Sequence, residues 1–268
     1  MKIEILKKSD RTLEFILRDA NPSVANALRR VMMNEVPTMA IEVVKFHKNS
    51  SGLFNEVLAH RLGLIPLKFP VKVYNLKSEC KCGGKGCSRC QVKVKFDSKK
   101  KKPDKEGKII VYAGDLEFDD KEVKPLDPNI PIVILLEGQE LKFEAIAQLG
   151  IGKEHAKWQS AVVGYSYLPE VRVSGDKCNG CGACVDACPK DVFTKKDGKI
   201  RVKNSSDCSL CMRCIEVCEQ GAISVKGDET AFRFKVESVC GLTAKEILER
   251  ALDIIEKKAK TFMKDLKL

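Results

Sequence analysis

The chain has 268 residues, of which 44% are hydrophobic and 32% charged, a composition that excludes a disordered protein. Its length predicts two or three domains. The formal net charge of +11 overstates the basic character, because the chain contains 13 cysteines and a metal site held by four thiolates carries about −2. No apolar run approaches the roughly 18 residues of a membrane span, and the first residues lack the apolar core of a secretion signal. We therefore expect a cytoplasmic protein that does not enter a membrane.

Apolar periodicity in the first part of the chain predicts a β-hairpin, a helix, a strand and a second, short helix. Asn21 fits an N-cap, and Pro22 fits the first helical position. The predicted elements are a hairpin with Ile3, Ile5, Leu13, Phe15 and Leu17 around a turn at 8–11, a helix from Pro22 that ends before Pro37, a strand from Ile41 to Phe46, and a helix from Asn55 to Leu64.

The remainder of the chain predicts further strands and a long final helix. The lysine-rich stretch 80–108 shows little apolar periodicity and is predicted to be a loop. Strands at 130–136 and 141–147 flank a turn signal and predict a hairpin, and a strand follows around Phe232 to Val236. Thr243 and Glu246 form a capping box before an apolar stripe of about five turns.

Twelve of the 13 cysteines fall into three sets of four, which indicates metal ligands in a reducing compartment. Two sets have the spacing CxxCxxCxxxC, which is typical of bacterial two-cluster ferredoxins. In that pattern the fourth cysteine of each run ligates the other cluster. Paired zinc knuckles are the alternative, but zinc sites use two CxxC pairs. The predicted ligands are Cys178, Cys181, Cys184 and Cys218 for one [4Fe-4S] cluster, and Cys208, Cys211, Cys214 and Cys188 for the other; Glu219 replaces the proline that usually follows the last cysteine.

The third set has the spacing CxCx4CxxC and is interleaved with glycines that allow the loop to fold around an ion. Tetrahedral Zn²⁺ fits this donor set best, and free or disulfide-paired thiols are the alternative. The lone Cys240 is interpreted as a small buried apolar side chain. The predicted zinc ligands are Cys80, Cys82, Cys87 and Cys90.

Three sequence segments resemble the D subunit family of archaeal DNA-directed RNA polymerases, which is similar to the third subunit of eukaryotic RNA polymerase II and to the amino-terminal domain of the bacterial alpha subunit. They are Asn21-Pro-Ser-Val-Ala-Asn-Ala-Leu-Arg-Arg-Val31, Leu58-Ala-His-Arg-Leu-Gly-Leu-Ile-Pro-Leu67 and Gly152-Lys-Glu-His-Ala-Lys-Trp158. The resemblance covers essentially the whole chain, including a ferredoxin-like insertion with both cysteine sets complete.

The resemblance implies an α+β fold with a split RNA polymerase alpha-type dimerisation domain, a β-rich insert domain and a ferredoxin-like two-cluster domain. We expect the dimerisation domain at 1–66 and 227–268, the insert domain at 67–170 and the cluster domain at 171–226. The implied role is to pair with the small L subunit and to form a platform for the large polymerase subunits. Other small polymerase subunits are further expected partners. The sequence alone favours an intramolecular core as the role of the stripe on the last helix, whereas the resemblance favours the dimer interface.

No catalytic residue is predicted, because the sequence contains neither a phosphate-binding loop nor an Asp triplet for catalytic Mg²⁺. His60 and His155 have no second ligand nearby and are interpreted as structural, whereas Arg29 and Arg30 are either solvent-facing or in contact with a partner. The run Lys99–Lys102 is interpreted as a solvated loop, and direct nucleic-acid contact is not expected. The alternative function is an electron-transferring ferredoxin-type subunit of an oxidoreductase, against which the sequence shows no other redox-cofactor motif.

Overall fold

The structure is a computed structural model that describes residues 1–266, so the last two positions of the predicted segment 227–268 lie outside the described residues. The chain forms two compact units. The first unit contains Met1–Lys8, Glu14–Ala27 and Gly164–Lys235, and the second contains Ser9–Leu13, Leu28–Val163 and the chain from Val236 onward. Within the described residues, no helix is long and apolar enough to cross a membrane.

The secondary structure comprises strands throughout the chain and a small number of helices. In chain order the elements are β1 (Lys2–Lys8), β2 (Thr12–Arg18), α1 (Pro22–Asn34), β3 (Thr38–Asn49), α2 (Asn55–Gly63), β4 (Leu67–Lys68), β5 (Gln91–Asp97), β6 (Ile109–Tyr112), β7 (Glu117–Phe118), β8 (Lys124–Pro125), β9 (Pro131–Leu135), β10 (Leu141–Gly150), β11 (Ala161–Val173), α3 (Ala183–Ala187), β12 (Phe193–Lys196), β13 (Lys199–Val202), α4 (Arg213–Glu216), β14 (Ile223–Ser238) and α5 (Ala244–Asp265).

A sheet of four strands, in the order β1-β2-β14-β11, supplies most of its residues to the first unit. Phe15 and Phe234 are fully buried, and their rings stack with centroids 4.9 Å apart. The predicted hairpin β1–β2 is confirmed, but Ile3 and Ile5 are exposed because β1 is the edge strand of the sheet. The same unit carries the hairpin β12–β13 and the short helices α3 and α4.

The second unit is built around an antiparallel sheet with strand order β3-β10-β5-β7. Phe143 on β10 is buried at its centre, with its ring centroid 5.9 Å from that of Phe46 and 5.7 Å from that of Phe96. Cross-strand aromatic contacts of this kind are the main stabilising unit of a sheet. Two-stranded pairs β4–β8 and β6–β9 accompany this sheet.

The caps predicted for α1 and α5 are present. The Asn21 Oδ1 accepts a hydrogen bond from the Val24 N–H at 2.9 Å. At α5 the Thr243 hydroxyl accepts from the Glu246 N–H at 3.2 Å, and the Glu246 carboxylate accepts from the Thr243 N–H at 2.8 Å. Both contacts satisfy N–H groups that an uncapped helix start leaves unpaired.

Two predictions from periodicity are wrong. The stretch 80–108 is not a continuous loop, because β5 lies within it and its Val92, Val94 and Phe96 are buried between exposed lysines. The segments at 130–136 and 141–147 are strands but do not form a hairpin: β9 pairs with β6, whereas β10 pairs with β3 and β5. The turn between them therefore leads the chain from one sheet to another.

Candidate metal centres

The four cysteines of the CxCx4CxxC set converge in the second unit. The Sγ atoms of Cys80, Cys82, Cys87 and Cys90 all lie within 4.8 Å of one another. The measured separations are 3.6 Å for Cys80–Cys87 and 3.8 Å for both Cys82–Cys90 and Cys87–Cys90. Four thiolates placed tetrahedrally at about 2.3 Å from Zn²⁺ would lie about 3.8 Å apart. The donor set therefore fits Zn²⁺ in both chemistry and dimension.

Glycines allow this loop to turn tightly. Gly83, Gly84 and Gly86 have φ values of +63°, +77° and +91°, in the left-handed region where a Cβ is disfavoured. A Cβ on Gly86 would also lie 2.2 Å from the Gln91 Oε1, so no larger residue fits there without a shift. The Cys87 N–H donates to the Cys90 Sγ at 3.2 Å, a contact that favours the thiolate form of the acceptor.

The electrostatics of the four sulfurs favour a bound cation. A hydrogen bond from the Gly86 backbone N–H lowers the pKa of Cys82 to about 6, whereas burial, with the neighbouring thiols, raises the pKa of Cys90 to about 12. Four thiolates at these distances would repel one another strongly. A divalent cation removes that repulsion and allows all four to bind as thiolates.

The first unit brings together the predicted crossed set of the first cluster. A cavity of about 190 Å³ is lined by Cys178, Cys181, Cys184 and Cys218, so the fourth sulfur comes from the second cysteine run. Burial raises the pKa of the Cys184 thiol, and the sulfurs of Cys181, Cys178 and Cys218 raise it further. The apolar lining includes Val173, Ala183, Ile200, Ala222 and Ile223.

The second crossed set lines a separate, narrower cavity of about 10 Å³. Its sulfurs belong to Cys188, Cys208, Cys211 and Cys214. Burial raises the pKa of the Cys214 thiol, and the sulfurs of Cys208, Cys188 and Cys211 raise it further. The structure thus places each fourth cysteine beside the three cysteines of the other run.

The two cysteine loops repeat the same backbone conformation. Gly180 and Gly182 have φ values of +72° and +98°, and the equivalent Leu210 and Met212 have +57° and +64°. Left-handed backbone costs a non-glycine residue of the order of 1–2 kcal/mol. The second loop therefore holds a strained conformation that wraps its sulfurs as the first loop does. The Leu210 N–H donates to the Cys208 Sγ at 3.4 Å, and the Ala222 N–H donates to the Cys218 Sγ at 3.3 Å.

The hairpin β12–β13 covers both cavities with its inner face. Phe193 lines the second cavity and Ile200 lines the first, and both side chains are buried. Sequence reasoning missed this hairpin, although Asp197-Gly198 is a strong signal for a two-residue turn. Asp197 and Gly198 have φ values of +50° and +72°, as that turn type requires.

The other residues singled out from the sequence lie outside these centres. His60 is exposed, and the Nδ1 of His155 accepts a hydrogen bond from the Lys157 N–H at 3.0 Å. Cys240 is buried, and burial raises the pKa of its thiol, as expected for an apolar packing role. The guanidinium of Arg29 contacts the Met33 sulfur at 3.5 Å.

Comparison with known proteins gives two family matches and a consistent set of relatives. Residues 44–166 match the RNA polymerase Rpb3/RpoA insert domain, and residues 170–219 match a 4Fe-4S dicluster domain. The second match contains all eight cysteines of the two crossed sets.

The relatives are similar over almost their whole length. DNA-directed RNA polymerase subunit Rpo3 of Archaeoglobus fulgidus is 44% identical over 98% of this chain and 97% of its own. The Rpo3 subunit of Methanosarcina acetivorans is 39% identical over 98% of this chain and 97% of its own. The Rpo3 subunit of Pyrococcus horikoshii is 37% identical over 99% of this chain and 98% of its own. With its polymerase-type insert domain and its 4Fe-4S dicluster domain, the chain belongs to the archaeal family of DNA-directed RNA polymerase subunit Rpo3.

Proposed function

We propose that this chain is the D-type, non-catalytic assembly subunit of a cytoplasmic archaeal DNA-dependent RNA polymerase. In this proposal it pairs with the small L subunit, and the pair forms the platform on which the large catalytic subunits and other small subunits assemble. Segments 1–66 and 227–268 form the dimerisation domain, 67–170 the insert domain and 171–226 a ferredoxin-like cluster domain. Its relatives are subunits of a nucleotidyltransferase complex, which supports the assignment.

The observation that carries the pairing proposal is the exposed second half of α5. Every described residue from Glu256 onward is exposed, so about three turns of this helix are not buried by the rest of the chain, although Lys257 and Lys258 form ion pairs with Glu79 and Glu35. Leu252, Phe262 and Met263 are 46%, 65% and 51% exposed. Apolar side chains that recur at helical spacing on an uncovered helix mark an interaction surface. An amphipathic partner helix of a small subunit would bury this stripe.

Co-expression tests the pairing. The chain expressed alone should aggregate or self-associate through the stripe, and co-expression with the L subunit should give a stable heterodimer. Sedimentation that shows a well-behaved monomer, with no binding to added L subunit, would contradict the proposal.

We also propose that the chain holds two [4Fe-4S] clusters and one Zn²⁺. The crossed lining of the two cavities supports the cluster ligands, and the sulfur separations near 3.8 Å support Zn²⁺. The ligands are Cys178, Cys181, Cys184 and Cys218 for the first cluster, Cys208, Cys211, Cys214 and Cys188 for the second, and Cys80, Cys82, Cys87 and Cys90 for Zn²⁺.

The clusters act structurally in this proposal and make assembly sensitive to oxygen. The buried core around them consists of only a few side chains besides the cysteines themselves, such as Val192, Phe193 and Ile200. A segment this small generally needs metals or cross-links to remain folded. Because β14 begins at Ile223, which lines the first cavity, disorder at the cluster would extend into the first unit's sheet.

The double variant Cys181→Ser, Cys211→Ser separates two assembly steps. It should still bind the L subunit but recover less of the large subunits when the tagged chain is isolated. Recovery equal to that of the unchanged chain would refute the regulatory role and leave the clusters as local supports. These substitutions are a sharper test than deletion of 174–227, which would remove the first residues of β14.

The alternative, an electron-transferring subunit of an oxidoreductase, is not favoured. The Rpo3 relatives match the whole chain and not the cluster segment alone. Copurification decides between the two, since polymerase subunits support the first function and a dehydrogenase or flavoprotein supports the second.

A further inference from the structure

The outer face of the hairpin β12–β13 carries three cations, and a fourth exposed lysine follows the hairpin. Directly paired residues lie on the same face of a hairpin, and successive pairs alternate between its two faces. The pair Phe193 and Val202 faces inward. The pairs Thr194–Arg201 and Lys196–Lys199 therefore face outward. Lys203 is exposed and lies one residue beyond the end of β13. We call Lys196, Lys199, Arg201 and Lys203 the cationic face; all four are exposed.

In residues 1–266, no carboxylate forms an ion pair with any member of the cationic face. Lys196 and Lys199 lie directly opposite each other, and like charges in that position destabilise a hairpin. The cations therefore do not serve the stability of the hairpin itself.

The consecutive basic run Lys99–Lys102, in contrast, does have carboxylate partners. Lys99 pairs with Glu140 at 3.8 Å, Lys100 pairs with Glu117 at 2.7 Å, and Lys101 pairs with Asp115. Three of the four lysines in that run thus have a carboxylate partner, although Glu140 also pairs with Lys48 at 2.8 Å. The cationic face is a different surface, assembled by strand alternation and not by consecutive lysines.

We propose that the cationic face binds the phosphate backbone of duplex DNA without reading its base sequence. All side chains on the face are polar, and lysine is depleted at the centres of protein–protein interfaces. Protein–DNA interfaces, in contrast, are polar and strongly positive. The composition of the face thus favours a nucleic acid over an acidic protein.

The spacing of the cations fits a regular polyanion. Lys199 and Arg201 alternate along β13, so their Cα atoms are separated by about 6.6 Å. Adjacent phosphates of one strand of duplex DNA rise about 3.4 Å along the helix axis and also rotate about it, which separates them by about 7 Å, so the two cations match adjacent phosphates. The face has no aromatic residue for base stacking, which favours backbone contacts to a duplex over binding to a single strand.

The proposal departs from the sequence-based expectation of no direct nucleic-acid contact, which was based on the run Lys99–Lys102. The choice of DNA over another polyanion rests on the proposed function in a DNA-dependent polymerase. The DNA measurement below does not require polymerase assembly, so failure of the proposed function appears separately, as absence of pairing with the L subunit.

The test compares two variants with equal loss of charge in the full-length chain, measured both alone at low protein concentration and after copurification with the L subunit. One variant replaces the cationic face (Lys196→Gln, Lys199→Gln, Arg201→Gln, Lys203→Gln), and the control replaces the conspicuous run (Lys99→Gln, Lys100→Gln, Lys101→Gln, Lys102→Gln). Fluorescence anisotropy measures binding of a labelled duplex of arbitrary sequence between about 50 and 200 mM salt. Iron and sulfide per chain report whether the cluster domain remains intact.

Four phosphate contacts contribute about −3.6 to the slope of log K against log salt concentration. The cationic-face variant should lose a slope of that order together with most of its affinity, equally for different duplex sequences, and the control should keep the slope of the unchanged chain. Two double variants, Lys196→Gln with Arg201→Gln and Lys199→Gln with Lys203→Gln, should each lose about half of that slope. Both should keep their full iron content.

Three results would overturn the proposal. An unchanged slope in the double variants would show that the face does not contact DNA, and an equal loss in the control would show a net-charge effect only. Binding of poly-glutamate but not of duplex DNA would assign the face to an acidic protein.

Discussion

Replacement of Phe262 by alanine gives a quantitative test of the stripe on α5. Phe262 is 65% exposed in the single chain, so its side chain contributes little to the fold and is available to a partner. A fully buried phenylalanine covers about 150–250 Å², which leaves about 100–160 Å² for an interface. At about 25 cal/mol per Å², complete burial of that area is equivalent to about 2.5–4 kcal/mol.

Buried area converts only partly into affinity, because association also orders side chains. We therefore expect Phe262→Ala to weaken pairing with the L subunit by about 2 kcal/mol, a rise in Kd of about 30-fold. The dissociation constant is measured by dilution of the copurified pair. Lys264→Ala, on an exposed position of the same helix, is the matched control and should change the Kd by less than about threefold. An unchanged Kd for Phe262→Ala, or a large fall in the thermal stability of the single chain, would refute the reasoning.

Three further substitutions test the second unit. Cys87→Ser should release one zinc per chain, measured by metal analysis, with iron unchanged; absence of zinc from the unchanged protein would rule out the site. Gly150→Ala should lower the free energy of unfolding by about 1–3 kcal/mol, because the new Cβ would lie 2.3 Å from the Trp158 ring. A hydrogen bond from Lys142 lowers the pKa of Asp97, so its contribution to stability is present above the unfolded pKa of about 3.9 and is lost as pH falls through the lower folded pKa. Asp97→Asn should therefore flatten the loss of stability below about pH 4 in pH-dependent unfolding, and an unchanged acid limb would contradict this.

The sequence predicts local features such as helix caps better than it predicts which strands are neighbours in a sheet. The Asn21 cap and the Thr243–Glu246 capping box are local, because their donors and acceptors are three residues apart, and the structure contains both. The partners of β9 and β10 could not be predicted, since sheet neighbours depend on contacts between residues distant in the chain.

The candidate sites show the same division. The spacing of the cysteine runs, read with the known ferredoxin pattern, predicts the crossed sets. The strained left-handed backbone at Leu210 and Met212 could not be predicted, because neither residue type favours it and the surrounding loop imposes it. The cationic face also has no signal in consecutive residues, since it arises only when two strands pair.

The cysteine-rich segment between β11 and β14 leaves and rejoins the first unit's sheet at one point. The Ser174 N–H donates to the Ala222 carbonyl at 2.8 Å, where β11 ends and β14 is about to begin, and these two strands are neighbours in the sheet. In topological terms residues 175–221 are therefore one long connection between adjacent strands, which a tight turn could replace without a change in strand order. A change in the length of this connection therefore leaves the order of the strands in the sheet unchanged.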